Sequence, residues 1–176
     1  MNILQSKTKG NKSAVIIGPF GNLGPTWVEA LSELDFQIHG AGLPNMKSNN
    51  TPNLETFQAL DLLSSNSSDI EKFFDDIKPD VVIINSGIDS TPGTGQAKLE
   101  DYEIDSWEKM IDVNILGAVK ILNAIIRTQS KPCSVVLIGS LYSSVSPNPE
   151  LYSHFNEGIG TVKHPAYATT KSALVG

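Results

Sequence analysis

The sequence predicts a doubly wound parallel α/β sheet in three layers, α/β/α, on two observations. Short β-branched runs alternate with amphipathic segments from residue 13 onward, and no internal repeat or hairpin signal interrupts them. A glycine-rich turn stands where the first run gives way to the first amphipathic segment, the usual form of a strand-to-helix crossover in such a sheet.

The elements follow in order. Residues 1–12 read as a polar leader, and 13–176 as one domain. Ser13 to Ile17 is the pattern of a strand covered on both faces. Leu23 to Leu34 carries apolar residues at helical spacing, and Phe36 to Gly40 reads as a second strand. Lys47 to Asn53 is loop by composition, and Thr56 to Leu60 is a short third strand leading to Asp61. Ser67 or Ser68 suits the cap of a helix through Ile77, which must stop before Pro79. Asp80 to Ile84 is a fourth strand, and residues 89–98 are a surface loop rich in Gly, Thr and Pro. Ser106 suits the cap of a long helix from Trp107 to about Thr128, with Met110, Val113, Leu116 or Gly117, and Ile121 inward. Cys133 to Ile138 is a fifth strand.

With 176 residues, 40% of them hydrophobic and 18% charged, the chain can build one sizeable core. A net charge of -6 without any basic run leaves no footprint for nucleic acid. No apolar stretch approaches the ~18 residues of a membrane span, and the N-terminus has no signal-peptide core, so a cytoplasmic address is expected. The single cysteine, Cys133, is expected to be a buried structural thiol, and no metal site is expected.

Two groups of residues carry chemistry. Gly18-Pro19-Phe20-Gly21-Asn22-Leu23-Gly24 sits between strand and helix, where a backbone without side chains approaches a pyrophosphate favoured by the helix N-terminus. This context makes Gly18, Phe20, Gly21, Asn22, Leu23 and Gly24 candidate cofactor contacts in a Rossmann-type domain. The acidic residue that often lies ~20 positions beyond, on the ribose hydroxyls, is missing from His39-Gly40-Ala41-Gly42-Leu43. The choice between NAD and NADP is therefore open. His39 could touch the adenosine ribose or a 2'-phosphate, although a solvated histidine is the plainer reading. Near the other end, Tyr167 and Lys171 lie one helical turn apart and project from one face. A neighbouring ammonium favours a phenolate, so such a pair can exchange a proton with a carbonyl or alcohol near neutral pH.

On these residues the chain resembles the short-chain dehydrogenases/reductases. Besides the glycine loop and the Tyr-Lys pair, it has Asp61-Leu62 after the third strand, Asn85-Ser86-Gly87 after the fourth, Asn114 in the long helix, and Ser140 after the fifth strand. The resemblance implies an NAD(P)-dependent oxidoreductase with a catalytic set of Asn114, Ser140, Tyr167 and Lys171. Tyr167 would be the general acid/base, and Ser140 would orient the substrate oxygen. Lys171 would assist the tyrosine and bind the nicotinamide ribose, while Asn114 would hold a water joining the lysine to solvent. Asp61 would lie against the adenine with Leu62 beside it, and Asn85, Ser86 and Gly87 would line the cofactor. Full-length family members commonly pair as homo-oligomers through helices such as 107–128 and the one near Tyr167.

The chain departs from the commonest family pattern in three places. Ile17 stands where many members have threonine, and the glycines at 18, 21 and 24 match the spacing of the longer subgroup with its nucleotide-sugar epimerases and dehydratases. Ser140 and Tyr167 are 27 positions apart, about twice the separation usual in the shorter subgroup. The intervening Ser146 to Gly158 is polar and aromatic and suits a sugar-like small-molecule substrate, as rings stack on pyranose faces and polar groups bind hydroxyls. Ser140-Leu141-Tyr142 with this long approach is similar to bacterial members tied to surface-carbohydrate or flagellin-glycan biosynthesis. Five residues follow Lys171, so by this resemblance the fold is expected to be incomplete at the C-terminus, without the last strands and the substrate lid. The alternatives are an epimerase or dehydratase that returns the hydride to its substrate, and a nucleotide-binding Rossmann protein without catalysis.

Overall fold

The computed structural model describes residues 12–44, 53–90, 98–155 and 162–175. Apart from Lys12 the expected leader lies outside the described residues, as do residues 47–52, 91–97 and 156–158 of the expected loop segments.

Five parallel strands form one sheet in the order β3-β2-β1-β4-β5: β1 Ser13–Ile17, β2 Gln37–Gly42, β3 Thr56–Ala59, β4 Val81–Ile84 and β5 Ser134–Leu137. Chain order reverses between β1 and β4, and that switch opens a crevice beyond their C-terminal ends. β1 sits at the centre with its side chains buried on both faces, which is why its sequence is unbroken apolar rather than alternating.

Period-two geometry sorts the core into two clusters. Val15, Ile17, Val82 and Ile84 face helices α2 Ser67–Ile77 and α4 Gly117–Thr128, meeting Ile70, Phe74, Ile121 and Ile125. Ala14, Ile16, Ile38 and Ile83 face α1 Gly24–Glu33 through Val28 and Leu31. Each fully buried Ile or Phe contributes about 1.5–3 kcal/mol. The doubly wound, Rossmann-type α/β architecture is thus present.

Several boundaries differ from expectation. The cap of α2 is Asn66, not Ser67 or Ser68: in extended backbone its side chain accepts the Asp69 amide at 2.9 Å, while both serines lie inside the first turn. The end of α2 is as expected, with left-handed Lys78 returning its amide to Phe74 ahead of Pro79. The long helix begins earlier, as α3 Ile104–Ile111, and Ser106 is not its cap but lies in its first turn. It is also interrupted, since Asp112–Leu116 forms a π turn before α4, closed by the Gly117 amide on the Asp112 carbonyl. Of the two inward candidates it is Gly117 that is buried, against Leu62, while Leu116 is exposed. Cys133 is half-buried just before β5, and burial pushes its thiol up. The last helix, α5 Pro165–Ala173, is capped by His164.

Candidate active site

The crevice at the strand switch is a cleft of about 250 Å³ walled by the ends of β1, β2, β3 and β4, with Lys109 and Val113 closing it from the long helix. Its floor is the glycine loop. Gly18 has φ +83°, which only glycine adopts without strain, and it folds onto Ser86 and Asn85. Gly24 is required by contact instead: a Cβ there would lie 2.1 Å from the Pro19 carbonyl oxygen. The Gly21 amide bonds Gly18 and the Gly24 amide bonds Gly21, so the loop is two tight turns feeding α1. Asn85 locks loop to sheet, donating to the Gly18 carbonyl at 2.8 Å and accepting from the Trp27 indole at 3.3 Å.

Gly18, Phe20, Gly21, Asp61, Leu62, Asn85, Ser86 and Gly87 all line this cleft. Asn22 and Leu23 are exposed on the same loop outside its walls, and Gly24 is buried beneath it. Asp61 is oriented by its own turn, its carboxylate accepting from the Leu63 amide and the Ser64 hydroxyl at 3.0 Å each. His39 lies within β2 opposite Val15, its ring 2.8 Å from the Thr56 hydroxyl, and does not line the cleft. Gly42 and Leu43 occupy the rim at the end of β2, without a carboxylate.

The other candidates gather beyond Gly87. Asn114, 2% exposed, sits in the π turn and grips Ile88, accepting its amide at 2.8 Å and donating to its carbonyl at 3.0 Å. Lys171, 5% exposed, donates from Nζ to the Ile138 carbonyl at 2.7 Å, which ties α5 to the end of β5. Burial holds its ammonium below the ordinary lysine range, and the charge of Asp89 opposes that shift. Its Nζ is 6.0 Å from the centre of the Tyr167 ring, as the one-turn spacing requires. A Cβ placed on Gly87 would be 3.4 Å from both Lys171 Nζ and Asn114 Oδ1, so this glycine leaves a small polar space between them. Ser140 caps the short turn Leu141–Ser143, accepting the Tyr142 amide at 3.2 Å, and Ser172 of α5 bonds the Ser143 carbonyl at 2.9 Å.

A dinucleotide fits these residues. The glycine floor, the polar space at Gly87 and a buried Ser86 hydroxyl that has no partner among the described residues are features that a bound phosphate-ribose chain would use. Gly18, Gly21 and Asn85 would hold the diphosphate end, and Gly87 and Lys171 the nicotinamide ribose.

Three residues in this region, His164, Lys163 and Asp89, escape sequence reasoning. His164, 2% exposed, accepts the Ala166 amide on Nδ1 at 3.1 Å, and its Nε2 lies 2.7 Å from Ser106 Oγ, which donates to the Glu103 carbonyl at 2.6 Å. The rings of Tyr102 and Trp107 enclose it, and burial lowers its pKa. Lys163 forms an ion pair with Asp89. Tyr152 meets Tyr142 hydroxyl to hydroxyl at 2.6 Å; burial first, then that bond, pushes its pKa up to about 12, so it stays a neutral phenol. A histidine is an uncommon cap, and Asp89 and Lys163 are 74 positions apart, so no local pattern signals either.

Solved structures share this fold. The ligand-free aldohexose dehydrogenase of Thermoplasma acidophilum superposes with a TM-score of 0.70 at 20% identity, over 94% of this chain and 58% of that one. A short chain dehydrogenase from Leptospira borgpetersenii with bound NAD+ gives 0.70 at 19% identity, over 93% and 61%. Serine dehydrogenase from Escherichia coli gives 0.67 at 19%, over 92% and 71%. The chain thus spans less than two thirds of the length of the first two. A comparison with curated protein sequences gives no match. No helix among the described residues is long and apolar enough to cross a membrane. The family model described as short chain dehydrogenase matches residues 12–154, from the first strand past Ser140 and ending before Tyr167. That match covers most of the sequence and agrees with the sheet order and the glycine-floored cleft: the chain belongs to the short chain dehydrogenase family.

Proposed function

We propose that this chain acts in an NAD(P)-dependent oxidoreductase that moves a hydride between nicotinamide and a carbonyl or secondary alcohol, with a sugar-like substrate. The observation that carries the reading is the buried Lys171 ammonium, set one turn from Tyr167 and 3.4 Å from the Cβ position of Gly87, at the end of a cleft that fits a dinucleotide. The cofactor, when bound, supplies or accepts the hydride; the chain's own residues place the substrate and move its proton.

In this reading the Tyr167 hydroxyl gives a proton to the carbonyl oxygen in reduction and takes it back in oxidation. The Ser140 hydroxyl steadies the charge that develops on that oxygen. Lys171 stabilises the phenolate electrostatically, and the space shared with Asn114 Oδ1 accommodates a water that returns the proton to solvent. Tyr142 and Tyr152 supply aromatic and hydroxyl surface near Ser140, which supports a polyhydroxylated substrate and a place in carbohydrate biosynthesis, of the surface or flagellin-glycan kind. Among the described residues no carboxylate follows Gly42 at the end of β2 to select against a 2'-phosphate, so both NAD and NADP are admitted. Copies pair through the long helix, on which Leu116 of the π turn and Val119 and Ile126 of α4 are exposed.

A second reading, an epimerase or dehydratase, is favoured by the three-residue steps between Gly18, Gly21 and Gly24. Incubation with aldohexoses and nucleotide sugars, each with NAD+ and NADP+, separates the two through nicotinamide absorbance and product analysis. The oxidoreductase reading expects stoichiometric cofactor reduction. Altered sugar with no net cofactor change would transfer the site to the second reading, and no binding of either cofactor would remove both.

A further inference from the structure

We infer that Lys163, clamped by Asp89, is a positioning residue that fixes the ring of Tyr167. The inference rests on the oxidoreductase reading for its purpose, though its geometry stands apart from it.

Lys163 lies in the extended approach to α5, and its side chain is only 8% exposed. Burying that stem surrenders the freedom of four rotatable bonds, and pairing with an Asp89 carboxylate that is itself 32% exposed offsets little of that. The location matters more. The ammonium stands 4.7 Å from the centre of the Tyr167 ring and 5.6 Å from that of Tyr142, both within the range at which a cation is held by an aromatic face.

Three parts of the site meet on this one side chain. Asp89 follows Gly87 by two positions in the loop after β4, and the Ser90 amide presets its carboxylate by donating to Oδ1 at 2.8 Å. Tyr142 follows Ser140 by two positions after β5, and the Tyr152 hydroxyl holds its own. Tyr167 belongs to α5. Lys163 therefore couples the cofactor-side loop, the serine turn and the tyrosine helix. The Lys171 ammonium lies 6.0 Å from the centre of the same ring. A general acid must hold its oxygen to within a fraction of an ångström, and a ring in contact with a buried, ion-paired ammonium is restrained from swinging away from that line.

The test uses the full chain with its tyrosine rings carbon-13 labelled, the Tyr167 signal being assigned by its loss in Tyr167→Phe. Lys163→Met and Lys163→Gln should move or broaden that signal while circular dichroism keeps its helical shape, and Lys163→Arg, which retains a cation over the ring, should restore it. With a turned-over substrate, Lys163→Met should lower kcat about 10- to 100-fold, with the cofactor KM changed by less than about twofold. A Tyr167 signal unmoved in both neutral variants, or equal disturbance in the arginine variant, would overturn the inference. The resonance is read without turnover, so failure of the hydride chemistry leaves this result intact and the two claims fail separately.

Discussion

The side-chain amide of Asn114 donates to the Thr170 hydroxyl at 3.0 Å, and that hydroxyl donates in turn to the Tyr167 carbonyl at 2.9 Å. A π turn in the long helix is thereby wired to the helix that carries Tyr167 and Lys171. The same amide nitrogen also reaches the Ile88 carbonyl, and Oδ1 takes the Ile88 amide, so one buried residue sets the spacing between the cofactor-side loop and α5. The π bulge adds one residue to a turn of the helix, and Asn114 within it is buried.

Asn114→Leu keeps the number and branching of side-chain heavy atoms but leaves Ile88 with an unmet donor and acceptor in a half-buried setting. The expected loss is about 2–4 kcal/mol in the free energy of unfolding, read by urea denaturation. A loss below about 0.5 kcal/mol would mean that the network is not structural.

Gly24→Ala should be far worse than Gly21→Ala. The first puts a Cβ 2.1 Å from the Pro19 carbonyl oxygen, whereas the second puts one 3.4 Å from the Asn85 amide nitrogen, close to ordinary contact. The first is expected to cost about 1–3 kcal/mol, with a matching loss of cofactor affinity; the second should cost under about 1 kcal/mol. Denaturation curves of the two variants side by side decide this, and equal stability would contradict it.

His164 makes the start of α5 sensitive to acid. Its Nδ1 accepts the Ala166 amide, so the folded chain holds it neutral, with a pKa lowered from 6.5 by burial. The unfolded chain takes up this proton first, so stability from this group is complete above about pH 6.5 and declines as pH falls toward the folded pKa. Unfolding free energies between pH 7.5 and 5 should fall less steeply for His164→Asn than for the unmodified chain. Parallel slopes would show that other groups carry the acid response.

Much of the fold is legible in the sequence because its signals are local. The unbroken apolar runs of β1 and β4 can only be strands covered on both faces, and the loop from Gly18 to Gly24 shows where the crevice opens. The Tyr167–Lys171 spacing reads directly as one helical face. What sequence reasoning misses depends on partners far away or on competition between neighbours. Asn66 displaces Ser67 and Ser68 as a cap because its backbone is extended and theirs is already helical. Ser106 looks like a cap but spends its hydroxyl on Glu103 and His164, 58 positions on in the second case. Neither the π turn nor the bonds of Asn114 to Ile88 and Thr170, 26 and 56 positions away, is displayed by the helical pattern.

The central claim is that Tyr167 moves the proton that accompanies hydride transfer above this cleft. The direct measurement is the single-turnover rate of nicotinamide oxidation or reduction by Tyr167→Phe at saturating cofactor, set against the unmodified chain. The account predicts a rate about 10²- to 10⁴-fold lower, at an unchanged dissociation constant for the cofactor. A rate within a few-fold of the unmodified chain would contradict it.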